Sequence, residues 1–307
     1  MSATMPITGT ATGDGSQPVE QALMFHGADG HALLGILTHA VGRPADTGVL
    51  IIVGGPQYRV GSHRQFVGLA RQLARAGHAV LRYDSTGMGD SEGPLRAFEQ
   101  ASRDIAPAIQ ALRQAQPQLR HLVLWGLCDG ASAALLHLDQ HPDSPVGGLC
   151  LANPWVRSEA SLARTQVKHY YRQRLLQAEF WTKLLRGGIG LGAVTGLLGN
   201  LRRAGGQRPV AAAGRELPFQ QRMARAWSNF GGPVLLLMSE QDLTAREFDE
   251  HSRADAAWQA ALRRCPPQRE TLAGADHTCS VPGSQRAAEQ ATCAWLQRSF
   301  APTAQAA

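Results

Sequence analysis

The sequence predicts an α/β protein built on a mostly parallel β-sheet with helices on both faces. Short apolar runs alternate with amphipathic segments along most of the chain, as strands and helices alternate in such sheets. Residues 48–53 are apolar at almost every position, which is typical of a strand buried on both faces. No internal repeat is visible, which argues against solenoids and propellers. The 307 residues suffice for one large domain with an insertion or for two domains.

The order of the predicted elements starts with a hairpin around the turn at residues 27–30. The eight predicted strands are residues 22–25, 33–38, 48–53, 78–83, 121–125, 146–152, 234–238 and 269–272. The predicted helices are residues 62–76, 102–114, 131–136, 247–263 and 285–298. Ser62, with Gln65 three positions later, predicts a capping box. Pro107 is expected in or near the first turn of its helix, where proline is tolerated.

The alternation of predicted strands and helices, and the places where it is absent, divide the chain into three kinds of segment. Residues 1–20 are rich in Ser, Thr, Gly and Ala but lack a basic start and an apolar run, which predicts a flexible tail rather than a signal peptide or a membrane span. Residues 21–154 and 231–300 form the α/β core. Between them, residues 155–230 show apolar positions at helical spacing among arginines, which predicts a helical basic cap.

The positive charge of the chain is concentrated in this predicted cap. Residues 155–230 contain 13 Lys and Arg against 3 Asp and Glu. Three interpretations are open: a lid whose arginines bind the phosphates of an acyl carrier or an anionic glycan, a basic amphipathic helix on an acidic membrane surface, or an ordinary solvated arginine face. The glycine-rich apolar stretch 187–199 is too short to span a membrane. Nucleic acid is not an expected partner, since no recognition motif accompanies the charge.

The cysteine content bounds the redox chemistry. The five cysteines, an odd number without C-x-x-C spacing, fit neither a disulfide framework nor a zinc site. We therefore expect a cytoplasmic protein with reduced thiols, without a metal or a cofactor. The oligomeric state is left open.

One thiol stands in a distinctive context. Residues 126–130, Gly-Leu-Cys-Asp-Gly, follow the apolar strand 121–125 and precede a helix of small residues. A strand, a sharp turn and a helix around G-x-C-x-G predict a nucleophile elbow with a thiol in place of the usual hydroxyl. The flanking glycines allow a tight bend and a close approach of helix and strand. Cys128 is therefore the predicted nucleophile, although a buried cysteine is more often a small hydrophobe.

A nucleophilic thiol needs a base, and the base needs an orienting carboxylate. His277 lies in the loop after the last predicted strand, and Asp242 lies just after the strand that follows the insertion. Both come at carboxyl ends of strands, as Cys128 does, and open α/β sheets place their sites at this edge. Asp276 is the alternative to Asp242, but it adjoins His277 and is poorly placed to reach the far ring nitrogen.

The order nucleophile, acid, histidine resembles that of the α/β-hydrolases, and the resemblance extends from about residue 20 to residue 300. Residues 84–91 are also similar to the D-x-x-G-x-G-x-S loop of these enzymes. The resemblance implies the α/β-hydrolase fold, with an eight-stranded, mostly parallel sheet and a helical cap insertion. Residues 54–59, 126–129 and 168–171 further resemble the exosortase A system-associated hydrolases, which are linked to exopolysaccharide and protein-sorting loci.

The resemblance also implies an oxyanion hole. Its first donor is the backbone N–H of Asp129, the residue after the nucleophile. Its second donor is expected in the loop after strand 48–53, where Pro56 has no N–H, so that Gly55 or Gln57 must supply it. The Asp129 carboxylate opposes ionisation of the neighbouring thiol, whereas the helix N-terminus and His277 favour it. Nearby side chains either contact substrate or only cap and solvate the loop: Tyr58, Arg59 and His63.

A thiol nucleophile restricts the substrate. A thiolate leaves more readily than an alkoxide, so an intermediate formed from an ordinary ester tends to revert. We therefore expect an activated acyl substrate, small or carrier-bound: a thioester, an activated ester or a lactone, as in the related dienelactone hydrolases. Two alternatives are an acyltransferase with the same three residues and a non-catalytic binding protein of the exopolysaccharide machinery.

Overall fold

The sheet organises the molecule. The structure is a computed structural model, and it describes residues 5–6, 17–55, 57–157 and 217–301. The strands are β1 Met5–Pro6, β2 Glu20–His26, β3 Ala32–Thr38, β4 Thr47–Ile52, β5 Val80–Tyr83, β6 His121–Leu127, β7 Gly148–Ala152, β8 Val234–Ser239 and β9 Gln268–Leu272. Across the sheet they lie in the order β1-β2-β3-β5-β4-β6-β7-β8-β9. All eight predicted strands are present.

The pairing of the strands is antiparallel at one edge and parallel elsewhere. β1, β2, β3 and β5 pair antiparallel in succession, while β5, β4, β6, β7, β8 and β9 pair parallel. The ninth strand, β1, lies within the predicted tail, where Met5 pairs with Met24 of β2. Because β1 is only two residues long, its sequence shows no alternation of apolar and polar residues from which a strand could be predicted. The parallel strands bring their carboxyl ends to one edge of the sheet.

Helices cover both faces of the sheet. Their bounds are α1 Gln65–Arg75, α2 Ser102–Ala115, α3 Asp129–Gln140, α4 Phe219–Asn229, α5 Leu243–Ala254, α6 Ala256–Arg264 and α7 Ser284–Ser299. Alternate residues of β4 point to opposite faces: Leu50 packs with α2 and α3, whereas Ile51 packs with α1 and α7. Both residues are fully buried, which explains why this strand is apolar throughout.

The chain divides into two compact units, residues 1–156 with 218–307 and residues 157–217. The core unit resumes at Pro218, before the predicted boundary at 231, because α4 packs against α3 and α6. Most of the predicted cap, including the glycine-rich stretch 187–199, lies outside the described residues. In the part of the chain that is described, no helix is both long and apolar enough to cross a membrane.

Two helix predictions need correction. The predicted helix 247–263 is two helices, because Asp255 adopts an extended conformation and its side chain accepts a hydrogen bond from the Trp258 N–H at 3.0 Å. Pro107 lies deeper in α2 than the first turn. A proline there cannot bond to the carbonyl one turn earlier, that of Arg103. This carbonyl instead accepts a hydrogen bond from the Ala28 N–H at 3.0 Å.

The predicted capping box at Ser62 is wrong. The Ser62 N–H and hydroxyl both bond to the side-chain oxygen of Gln57, at 3.1 and 3.3 Å. Ser62–Arg64 is a short 3₁₀ turn, and its residues His63 and Arg64 have positive φ angles of 52° and 60°. The helix α1 therefore starts only at Gln65, without a side-chain cap. Ser62 therefore bonds to Gln57 in the preceding loop and not to Gln65, its predicted partner in the helix.

Candidate active site

Cys128 stands at the sharp turn between β6 and α3. Its backbone has φ 60° and ψ −125°, a region that non-glycine residues occupy only when the surrounding structure enforces it. Such a conformation costs on the order of 1–3 kcal/mol and is concentrated at functional sites. The backbone is held by a bond from its N–H to the Ala152 carbonyl at 2.9 Å, and its own carbonyl accepts the Trp155 N–H at 3.2 Å. The strained turn presents the thiol at the carboxyl edge of the sheet.

The two glycines of the elbow have no room for a side chain. A Cβ on Gly126 would lie 2.5 Å from the carbonyl oxygen of Gly130, and one on Gly130 would lie 2.5 Å from that of Ile52. Both contacts are with backbone, which cannot move aside as a flexible side chain can. The predicted reason for the G-x-C-x-G spacing, a close approach of helix and strand, is what the structure shows.

His277 and Asp242 meet at the same edge. The Asp242 Oδ2 lies 2.7 Å from the His277 Nδ1. The other carboxylate oxygen of Asp242 accepts the Thr244 N–H at 3.0 Å and so caps the N-terminus of α5. The residue is only 4% exposed. With one oxygen in the helix cap and the other on the imidazole, the carboxylate has a defined orientation.

The loops that carry His277 and Asp242 are fastened to each other. The Glu240 carboxylate accepts the Gly274 N–H at 2.7 Å, and the Gln241 N–H donates to the Ala275 carbonyl at 2.9 Å. Sequence reasoning did not identify Glu240, because its partner is more than thirty residues away and belongs to another loop. These two bonds hold the acid and the histidine in register.

Asp276, the alternative partner, is engaged elsewhere. Its carboxylate accepts the Ser280 N–H at 2.7 Å and the Ser280 hydroxyl. These hydrogen bonds lower the pKa of Asp276. The side chain thus stabilises the turn that follows His277, and the structure pairs the ring with Asp242 instead.

His277 also contacts the thiol. The hydrogen bond to Asp242, which has the larger effect, and the hydrogen bond to Cys128 raise the pKa of His277 to about 10. Burial opposes this increase. The ring therefore lies between the carboxylate and the thiol. Cys128, His277 and Asp242, which are far apart along the chain, form one connected line of side chains.

The other four cysteines have a different environment. Burial raises the pKa of each of these thiols, to about 11 for Cys279 and Cys293 and well above the usual range for Cys150. All five cysteines are free of disulfides. Among the residues that the structure describes, no group of three metal-ligating side chains occurs.

The predicted second donors of the oxyanion hole point in different directions. The Gln57 N–H donates to the Gly55 carbonyl at 2.8 Å within its own loop, so Gln57 is not available as a donor. The Gly55 N–H points toward the elbow, where it donates to the Asp129 Oδ1 at 2.5 Å. The N–H of Gly55 therefore has the orientation of a second donor, but it is already bonded to the Asp129 side chain. Sequence reasoning placed the Asp129 carboxylate beside the thiol but did not predict its bond to Gly55.

The loop after β4 is fixed by the D-x-x-G-x-G-x-S segment. Buried Asp84 accepts the Arg59 N–H at 2.6 Å, binds the Arg59 guanidinium and accepts the Asp90 N–H at 2.9 Å. Arg59 also pairs with the Asp90 carboxylate at 2.7 Å. The Gly89 position lies against the Asp84 carboxylate and has φ 52°, so a side chain is excluded there. Of the nearby side chains, Arg59 holds the loop, whereas Tyr58 is 47% exposed.

A small cleft opens beside the elbow. Gly55, Asp129 and Gly130 form the side of the cleft next to the nucleophile. The rest of its wall is mixed, with Val53, Met88 and Leu95 beside the polar side chains of Thr86, Arg96 and Asp104. The cleft therefore adjoins the two residues that follow the nucleophile, Asp129 and Gly130.

Comparisons with known proteins agree with this architecture. The model of the family described as serine aminopeptidase, S33, matches residues 47–187, just under half of the chain. Among curated proteins, no sequence similar to the chain was found.

Solved structures with the same fold are numerous. An esterase of Pyrococcus furiosus superposes with a TM-score of 0.61 at 15% identity, covering 96% of each chain. A dienelactone hydrolase of Anabaena variabilis gives 0.58 at 16% identity, with 92% of this chain and 99% of the other covered. A carboxyl esterase of Bacillus coagulans gives 0.60 at 13% identity, with 92% and 99% covered. The chain has the α/β-hydrolase fold, and the family match supports an α/β-hydrolase enzyme.

Proposed function

We propose that the protein is a hydrolase in which Cys128 attacks an activated acyl compound, His277 transfers protons and Asp242 orients His277. The observation that carries this proposal is the line from the Asp242 carboxylate through the imidazole, 2.7 Å away, to a thiol on a strained elbow. A structural role for Cys128 does not account for its positive φ angle or for its contact with the ring.

The chemistry follows from the positions of these groups. The His277 imidazole takes the proton of the Cys128 thiol, and the sulfur adds to the acyl carbon while the carbonyl electron pair moves to the oxygen. The N–H groups of Asp129 and Gly55 donate hydrogen bonds to this oxyanion. The intermediate collapses, the bond to the leaving group breaks, and the His277 imidazolium gives that group its proton. An acyl-thioester on Cys128 results.

The second half of the reaction needs His277 as a base. Hydrogen bonding to Cys128 is one of the causes that raise the pKa of His277, and acylation of the sulfur removes it. The pKa of the ring then falls, so that His277 can accept a proton from water while the water oxygen attacks the acyl carbon. Collapse breaks the bond from carbon to sulfur, releases the acid and returns the proton to the Cys128–His277 pair.

The thiol favours activated substrates. Expulsion of the sulfur competes with expulsion of the leaving group, so the leaving group must be as good as a thiolate. Thioesters, activated esters and enol-lactones, whose leaving group is a stabilised enolate, meet this condition. The structural likeness to a dienelactone hydrolase supports an activated ester or lactone as one class of substrate.

The biological setting is part of the proposal. Residues 54–59 and 126–129, which resemble the exosortase A system-associated hydrolases, support a role in exopolysaccharide or exosortase-associated metabolism. The reduced state of the five cysteines suits the cytoplasm. The positive charge of residues 155–230 supports a carrier-bound acyl substrate or contact with an acidic membrane surface.

The test is the mass of the intact protein after incubation with a panel of acyl thioesters. The wild-type protein should gain the mass of the acyl group, Cys128→Ala should not, and the matched variant Cys265→Ala should behave as wild type. Iodoacetamide at neutral pH should modify Cys128 before the other thiols, whose pKa values are raised by burial. Equal modification of all thiols, or an adduct that persists in Cys128→Ala, would overturn the proposal. Products analysed with and without sugar acceptors distinguish hydrolysis from acyl transfer.

A further inference from the structure

The side chain of Asp129 occupies the position that a reacting carbonyl oxygen needs. Its Oδ1 lies 2.5 Å from the N–H nitrogen of Gly55, the residue whose N–H faces the elbow. The same oxygen also lies where a Cβ on Gly54 would be, so the carboxylate is packed directly against the loop after β4. No substrate oxygen can reach the Gly55 N–H while the side chain has this position.

Backbone N–H groups face the carboxylate in this position. Besides the Gly55 N–H, the N–H groups of Gly130 and of Asp129 itself bond to it. Burial raises the pKa of Asp129, and these three donors together with the charge on His277 oppose the increase. Two of the donors, Gly55 and Asp129, are the N–H groups that the proposed mechanism assigns to the oxyanion.

We propose that the Asp129 carboxylate is an internal ligand of the oxyanion hole, which the carbonyl oxygen of a substrate must displace before Cys128 can complete its attack. This inference rests on the proposed function, because it concerns the same hole and the same thiol. Asp129 is thus a specificity-determining residue, because it sets how strongly an acyl donor must bind to displace the carboxylate from the N–H groups of the oxyanion hole.

Displacement discriminates between acyl donors. The oxygen of a bound ester or thioester is neutral and competes poorly with a carboxylate for N–H donors, whereas the tetrahedral oxyanion is charged and competes well. An acyl group that also fills the cleft beside Asp129 gains the binding energy needed to hold its carbonyl there. The side chain therefore disfavours small acyl groups, such as acetyl, that bind through the carbonyl alone.

The test uses 1,1,1-trifluoroacetone, a small ketone that adds to a thiol and carries an oxyanion but no apolar body to fill the cleft. Its dissociation constant is measured from the protection of Cys128 against iodoacetamide. Asp129→Ala keeps the backbone N–H and empties the hole, so the ketone should bind at least about tenfold more tightly than to wild type. The unprotected alkylation rate at its plateau pH should change less than threefold, roughly, since the thiol itself is intact.

Two further variants make the result specific. Asp129→Asn keeps the shape and the bond to Gly55 but removes the charge, and it should also bind the ketone more tightly, which guards against a folding defect in the alanine variant. Asp276→Asn removes a negative charge next to His277 but outside the hole, while an amide oxygen can still accept the Ser280 N–H, and it should leave the affinity unchanged.

The outcomes separate the two proposals. Unchanged or weaker ketone binding in both Asp129 variants, with normal alkylation, overturns the inference and leaves the proposed hydrolase standing. An equal gain in Asp276→Asn also overturns it, because a general loss of negative charge then explains the effect. A wild-type Cys128 that is not preferentially alkylated overturns the proposed function itself.

Discussion

The Asp242 carboxylate joins local structure to chemistry at the level of a single residue. One oxygen caps α5 through the Thr244 N–H, and the other binds the His277 ring. Because the cap fixes the side chain before any substrate is present, the imidazole has a defined orientation and its pKa is raised to about 10. The same residue thus stabilises a helix and controls the protonation of the proposed acid.

This arrangement predicts the alkaline limb of the pH–rate profile. His277 must be protonated to assist the leaving group, so acylation should decline as the pH rises through about 10. Asp242→Asn keeps the cap but removes the largest cause of the raised pKa, and the limb should move to lower pH by at least about one unit. The measurement is kcat/KM for an acyl thioester between pH 6 and pH 11. A limb that stays in place in the variant would contradict the assigned role of Asp242.

The close packing of the elbow glycines predicts that a methyl group added there lowers the stability of the fold. In Gly130→Ala the new methyl group would lie 2.5 Å from the Ile52 carbonyl and 3.1 Å from the Gly54 nitrogen. We expect a loss of about 3 kcal/mol in the free energy of unfolding, near the upper end for overpacking, because both neighbours are backbone. Gly30→Ala is the control: its φ is 81° but its surroundings are open, so a loss of only about 1 kcal/mol is expected. Urea unfolding measures both, and equal losses would show that steric contact is not the cause.

At the scale of elements, the strands were predictable and the ends of helices were less so. A strand such as β4 is buried on both faces, and this leaves a local pattern that any reader of the sequence can find. The break between α5 and α6 at Asp255 contains neither glycine nor proline, so the helical pattern continues across it. Ser62 has the residue spacing of a capping box, but its hydroxyl and N–H are bonded to Gln57 instead.

The candidate site shows the same division. Cys128, His277 and Asp242 were predictable because each follows a recognisable strand, and strand ends meet at one edge of a parallel sheet. The bond between Asp129 and Gly55 was not predictable, because it depends on how the loop after β4 folds back over the elbow. Backbone donors follow from topology, whereas the direction of a short side chain depends on tertiary contacts.

Loosening the loop after β4 should lower catalytic activity without changing the reactivity of the Cys128 thiol. The Arg59 guanidinium links this loop to Asp84 and Asp90, and Arg59→Gln removes these ion pairs while keeping the backbone bond to Asp84. Because the loop carries Gly55, we expect kcat/KM to fall about tenfold, as for a weakened oxyanion donor, with a stability loss of about 2 kcal/mol. Alkylation of Cys128 should be unchanged. The control Arg103→Gln removes the ion pair with Asp29, outside this loop, and should retain activity.

At the scale of the whole molecule, the core unit is assembled from two stretches of chain separated by the residues 157–217 unit. The second stretch begins with α4, which packs on α3 and α6. The Asp139 carboxylate of α3 accepts hydrogen bonds from Arg222 at 3.0 Å and from Arg225 at 2.7 Å, both on α4. Some of the arginines predicted to belong to a basic cap therefore bind the core instead. They fasten the returning chain to the helix that carries the elbow.

This contact predicts how stability depends on pH. Hydrogen bonds and charge from Arg225 and Arg222 outweigh burial and lower the pKa of Asp139. A carboxyl group whose pKa is depressed in the folded state stabilises it above the unfolded pKa, and this contribution is lost as the pH falls below about 4. Asp139→Asn should therefore lower the free energy of unfolding at pH 7 by about 2 kcal/mol, and the gap to wild type should shrink progressively below pH 4.

The comparison between the two arginines makes that prediction sharper. Asp139→Asn removes the carboxylate from Arg222, whose side chain is 10% exposed, whereas Arg225 is 51% exposed and can be hydrated in its absence. Arg225→Gln should consequently cost less than about 1 kcal/mol, and Arg222→Gln should approach the loss in Asp139→Asn. Urea unfolding of the three variants at pH 7 and at pH 3.5 measures these differences. If Asp139→Asn has the same deficit at both pH values, the ion pair does not fasten α4 to α3, and the helix is held by its apolar face alone.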